Sequence, residues 1–86
     1  MPHSFNIRLE KEISDVLKNV DSEIRGSGGS FDGDVQKGYF AGKTAVGTIR
    51  GEYRSLSSSE IEITITEKPF IVPYSLIEAE IRKYFS

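Results

Sequence analysis

The sequence predicts an α+β domain of order β-α-β-β-β-α, a curved antiparallel sheet with both helices packed on one face. Three observations carry this reading. Residues 60–67 alternate strictly, with Ile61, Ile63 and Ile65 on one side and Glu60, Glu62, Thr64 and Thr66 on the other, which is a strand with one buried and one wet face. Two segments, one near each end of the chain, place apolar residues at helical spacing, so each helix has a single stripe to bury. The connections between the later strands are short and polar, as antiparallel neighbours allow.

In chain order, residues 4–10 form the first strand, with Phe5, Ile7 and Leu9 turned one way and Asn6, Arg8 and Glu10 the other. The period then changes from two to that of a helix. Ile13, Val16, Leu17, Val20 and Ile24 make its stripe, and Asp15, Lys18, Asp21 and Glu23 its wet side. Gly26 stands where a helix C-cap glycine belongs, preceded by Arg25 at the negative end of the dipole. The following 26–30 run of Gly and Ser reads as a flexible connection. Asp32-Gly33-Asp34 is turn chemistry leading into a strand over 35–40. Residues 41–43 read as a tight connection to a longer strand over 44–53, whose Gly47 and Gly51 mark a bulge or the close approach of another backbone. Residues 54–59 form a polar turn before the alternating strand. Lys68-Pro69 ends that strand, because proline cannot donate to a ladder. Ser75 and Glu78 have capping-box spacing downstream of Pro73. They open a helix with Ile77, Ile81, Tyr84 and Phe85 as its stripe.

At 86 residues the chain is expected to be a single domain over 1–86. A chain this short buries roughly 60–65% of its unfolded surface. Its core is then one layer thick. A cavity in the usual ligand range of about 300–1,000 Å³ would take much of that core, so a groove or a subunit interface is the expected binding place. Cysteine is absent, which removes disulfide staples and thiolate chemistry and points to a reducing, cytoplasmic setting. Residues 1–12 lack the basic segment and long apolar run of a signal peptide. The longest apolar stretch, Phe70-Ile71-Val72, is too short for a membrane span. With 11 basic and 13 acidic residues and a net charge of −2, and with the bases scattered, no stripe for nucleic acid is expected.

No catalytic residues are expected. His3, the one histidine, reads as a solvated terminal residue, whereas a nucleophile–base pair or a zinc site needs fixed ligands. Asp32 and Asp34 are too few for a calcium loop and read as turn residues, so no metal and no cofactor are expected. The 26–30 run lacks the lysine of a phosphate loop and follows a helix rather than preceding one. Ser57, Ser58 and Ser59 read as a solvated turn. Tyr39, Tyr53, Phe70 and Tyr74 are the candidates for a ligand or partner surface, since aromatics that do not fit a core stripe suit interfaces.

The Phe31-Asp32-Gly33-Asp34 turn is followed by a glycine-rich strand pair, Gly38-Tyr39-Phe40 and Gly47-Thr48-Ile49-Arg50-Gly51-Glu52-Tyr53. A Lys-Pro step then precedes a helix ending Ile-Arg-Lys-Tyr-Phe. Over residues 5–85 these features resemble the polyhydroxyalkanoic acid system proteins. That resemblance implies a small bacterial protein associated with storage-polyester granules, and brings no catalytic residues with it. The element order also resembles a shortened helix-grip domain, in which a curved sheet grips a C-terminal helix. On this basis the chain is expected to be a non-catalytic binding or accessory protein for an apolar surface, ligand or another protein. The alternative is a self-associating module, such as a homodimer through the open sheet face. A small enzyme is the third reading.

Overall fold

The computed structural model describes residues 3–44 and 47–85. Seven elements follow one another: β1 (His3–Arg8), α1 (Ile13–Gly26), β2 (Ser30–Gly33), β3 (Lys37–Thr44), β4 (Gly47–Ser57), β5 (Glu60–Glu67) and α2 (Tyr74–Tyr84). The five strands form one antiparallel sheet in the order β1-β5-β4-β3-β2. Both helices bury their stripes on the same face. Val16, Leu17, Val20 and Ile24 of α1 join Ile77 and Ile81 of α2 over Ile61, Ile63 and Ile65. The predicted α+β class and one-sided helix packing are therefore present, and β5 has the predicted bounds.

The differences are local and each has a physical reason. Ser30–Gly33 is a short edge strand rather than part of a loop and turn. It pairs Phe31 with Phe40 and Gly33 with Gly38, and Phe31 is its one buried residue. The preceding glycines are ordered. The amide of Gly28 donates to the Arg25 carbonyl at 3.1 Å and that of Gly29 to the Ile24 carbonyl at 2.8 Å. This is a Schellman ending, and Gly28, with φ 85°, is the left-handed residue expected at Gly26. A Cβ on Gly29 would run into the Ala41 carbonyl and Ile24, so the run is a close-packed corner. The Arg25 guanidinium pairs with Asp21 and donates to the Phe31 carbonyl at 2.9 Å, tying the helix end to β2.

Residues 41–43 are not a turn but the continuation of β3, opposite Arg50, Ile49 and Thr48. The described ladder ends at Thr44 and Gly47; residues 45–46 of the predicted 44–53 strand lie outside the described residues. At the other end β4 runs on to Ser57, leaving a short turn before Glu60. Register shifts interrupt its ladder with β5 at Arg50/Gly51 and Ser55/Ser57, and such bulges bend a strand. Helix α2 begins two residues earlier than a Ser75 cap implies, with Pro73 at the N-cap and no side-chain cap. Ser75 therefore lies inside the first turn, and Glu78 is used elsewhere.

Candidate functional site

The helix-covered face is built from cross-strand rows. In one, Phe5, Ile63, Tyr53, Gly38 and Gly33 lie side by side. In the next are Ile65, Gly51, Phe40 and Phe31. Large rings lie over the glycines of each row. A Cβ at Gly38 would meet the Tyr53 ring at 2.5 Å, and one at Gly51 would meet the Phe40 ring at 2.5 Å. Phe31 stacks on Tyr53 at 5.5 Å, and Phe85 closes over both Phe40 and Tyr53 at 6.3 and 6.4 Å. The Tyr53 hydroxyl donates to the Asp34 carbonyl at 2.7 Å. Burial, followed by the charges of Asp34, Asp21 and Asp32, pushes its pKa up to about 12. The Asp34 carboxylate accepts from the amides of Gln36 and Lys37 at 2.8 and 3.1 Å, which hold its pKa below the usual value. It is a turn residue, as its sequence context suggests.

One row further along the strands the construction stops. Ile49 faces Gly42, and nothing lies within 4 Å of a Cβ built at Gly42. Here an open-sided apolar cleft of about 360 Å³ separates the sheet from the helices. Phe40, Gly42 and Ile49 contribute from the sheet, and Ile77, Ile81 and Phe85 from α2. The exposed residues among its lining, Ser27, Lys43, Leu76 and Glu80, form its rim. Val72 also lines it, and the two residues before Val72 are the most exposed large apolar side chains described: Phe70 is 94% and Ile71 71% accessible, with Leu76 at 55%. The groove expected from chain length is thus present, at the low end of the ligand-site range. Its volume is open at the side rather than carved from the core.

The four aromatic candidates do not converge. Tyr53 is a core residue. Tyr39 is 64% accessible on the uncovered face, beside a polar depression of about 210 Å³ that also includes Glu52, Arg54, Glu62 and Thr64. Tyr74 is half-buried: it stacks on His3 at 4.6 Å, and the Lys68 ammonium lies 4.9 Å from its ring centre. His3 is correspondingly not a free terminal residue. Its Nε2 is 3.2 Å from the Glu78 carboxylate, which also binds Arg82 at 3.1 Å. These contacts hold the Glu78 pKa down, His3 first and Arg82 next. None of the four lines the cleft; Phe70 stands two residues before Val72, which does. Gly42, Lys43, Ile49 and Leu76, which border it, are not among the sequence candidates. A signal for them did exist, since the longest apolar run, Phe70-Ile71-Val72, falls between elements instead of within one.

Among the described residues no group of three or more His, Cys, Asp or Glu side chains is arranged to hold a metal ion, and no helix is long and apolar enough to cross a membrane. The uncovered face is crossed by the ion pairs Arg54–Glu62 at 3.1 Å and Arg50–Glu67 at 3.2 Å. Comparison with protein-family models, curated proteins and solved structures finds no match for the chain.

Proposed function

We propose that this chain is a non-catalytic binding or accessory module, working in the cytoplasm, that recognises an apolar ligand or surface. The observation that carries the reading is the apolar cleft with the exposed Leu76 on its rim, together with the exposed Phe70 and Ile71 that immediately precede the cleft-lining Val72. Fully burying a side chain of this kind contributes about 1.5–3 kcal/mol. Three such groups exposed to water, one of them on the rim of an apolar cleft, represent binding energy for another molecule. A storage-polyester granule, the surface implied by the sequence resemblance, has the required chemistry. The open sheet face supports self-association less well, because its rows are ion pairs and hydroxyls such as the Ser4–Thr64 pair at 2.9 Å.

The test is co-sedimentation of the purified chain with poly(3-hydroxybutyrate) particles and with cellulose particles. Retention on the polyester alone is expected. Phe70→Asp combined with Leu76→Asp should release it, with the thermal midpoint little changed because both side chains are exposed. Equal retention of the variant would remove the cleft rim from the reading.

A further inference from the structure

We propose that the chain pairs with a second copy of itself along the free edge of β1, joining the two sheets into one about a two-fold axis at Asn6. No residue of β1 lines the cleft, so the proposal is independent of the apolar-binding reading. The two edges of the sheet differ. β2 is four residues long, and the Arg25 guanidinium binds its Phe31 carbonyl at 2.9 Å, so α1 holds that edge. β1 runs for six residues in unbroken register with β5, and among the described residues no side chain bonds to its backbone. Beyond its end the Leu9 amide donates to the Ser59 carbonyl at 2.7 Å, which continues the same register. Bonded residues alternate with unbonded ones in an antiparallel ladder. Phe5 and Ile7 therefore bond toward β5, and Ser4, Asn6 and Arg8 turn their N–H and C=O groups outward. A second β1 fits this edge. With Asn6 opposite Asn6 of the second copy, Ser4 lies opposite Arg8, and all three exchange both backbone bonds. A slip of two residues in either direction leaves Ser4 or Arg8 without a partner inside the strand. No like charges oppose each other in this register. On the helix-covered side the half-buried Phe5 meets Ile7 of the second copy, an aromatic and β-branched pair of the kind that stabilises sheets. Such an isologous contact closes at two copies, and the held β2 edge offers no strand for further growth.

Sedimentation equilibrium of the full chain tests the pairing. A monomer–dimer equilibrium with a Kd on the order of 10–100 μM is expected, in keeping with an interface at the small end of the size range. Asn6→Pro removes the central outward N–H and spares the bonds to β5, at a place where an edge strand tolerates proline. It should weaken the dimer about tenfold or more. Asn6→Lys keeps the backbone intact and has Glu62 as its neighbour on β5, but sets two ammonium groups opposite each other across the axis, and should weaken the dimer as well. Oxidative crosslinking reads the register, because the chain has no cysteine of its own. Asn6→Cys should form a disulfide-linked dimer, since Cα atoms of a bonded pair lie about 5.5 Å apart. Arg8→Cys should not, because its two copies would be separated by about 13 Å along the strands. A chain that stays monomeric at about 500 μM, well above the expected Kd, overturns the proposal. So does a dimer that survives both Asn6→Pro and Asn6→Lys, or Arg8→Cys crosslinking as readily as Asn6→Cys.

Discussion

Gly38 and Gly42 lie four residues apart on one strand and face the same helices, yet their surroundings are opposite. Gly38 stands across from Tyr53 and lies beneath its ring, so that even a methyl group would collide with the ring and with the Asp32 carbonyl. Gly42 stands across from Ile49 and has open space above it. The same device, a glycine opposite a large side chain, completes the core at one position and leaves a cleft at the other. What differs is the partner. Tyr53 is long enough to lie over Gly38 and reach a hydrogen bond at Asp34, whereas Ile49 stays half-buried beside the core. The cleft is thus not a general looseness of packing, because the adjoining rows are filled to contact by Phe31, Tyr53, Phe40 and Phe85.

The strongest way to break this comparison is Gly38→Ala. Two of the nearest obstacles, the Tyr53 ring and the Asp32 carbonyl, belong to a packed core residue and to backbone, so neither can move aside freely. A loss of about 1–3 kcal/mol is expected, the usual range for overpacking, read from the urea midpoint. An unchanged midpoint would show that Tyr53 can lift off the sheet, and the filled row would then be no more rigid than the open one.

Tyr53→Phe sharpens the comparison by keeping the ring and removing its anchor. Loss of the hydrogen bond to Asp34 should cost about 0.5–1.5 kcal/mol. The value lies toward the low end because Asp34 is exposed and water can replace the donor. The hydroxyl also has a pH signature. Its pKa is raised from the ordinary phenol value of 10.0 to about 12, so the folded protein holds this proton more tightly than the unfolded chain does. The stabilisation is complete below the ordinary phenol pKa and is lost as pH climbs through that of the folded state. Urea midpoints should therefore fall between pH 10 and 12 by more in the unaltered protein than in Tyr53→Phe. Equal slopes would mean that the hydroxyl is solvated.

Most of the architecture was legible because it follows from periodicity. Alternation located β5, and two apolar stripes at helical spacing placed both helices over its isoleucine face. The readings that failed involve glycine, whose role depends on neighbours distant in sequence. Gly42-Lys43 resembles a turn locally but continues β3, since β4 runs alongside it. Gly28 and Gly29 resemble a flexible run, but form a helix ending fitted against Ala41. Phe31 marks a strand only once Phe40 is seen opposite. Ser75 has capping-box spacing to Glu78, but Pro73 already holds the N-cap and Glu78 is bound to His3 and Arg82. The cleft was the least legible part, since its lining comes from both helices, two strands and the segment before α2. Its defining property, the absence of any side chain over Gly42, has no local sequence pattern.

Gly42→Ala is the smallest change in stability and the most direct test of the open position. The residue is within a strand, its φ is not among the positive glycine values, and an added Cβ meets nothing within 4 Å. Glycine in a strand interior costs about 0.5–1 kcal/mol relative to alanine through the entropy of the unfolded chain. Gly42→Ala should therefore leave the urea midpoint unchanged or raise it slightly, opposite in sign to Gly38→Ala. Gly42→Val, which suits a strand equally well, should do the same while occupying more of the cleft. Retention on the polyester particles should then weaken from the parent to alanine to valine, with no matching loss of stability. A midpoint that falls at Gly42 as it does at Gly38 would mean that the helices close onto the sheet here, and that the space beside Ile49 is filled in solution by the protein itself.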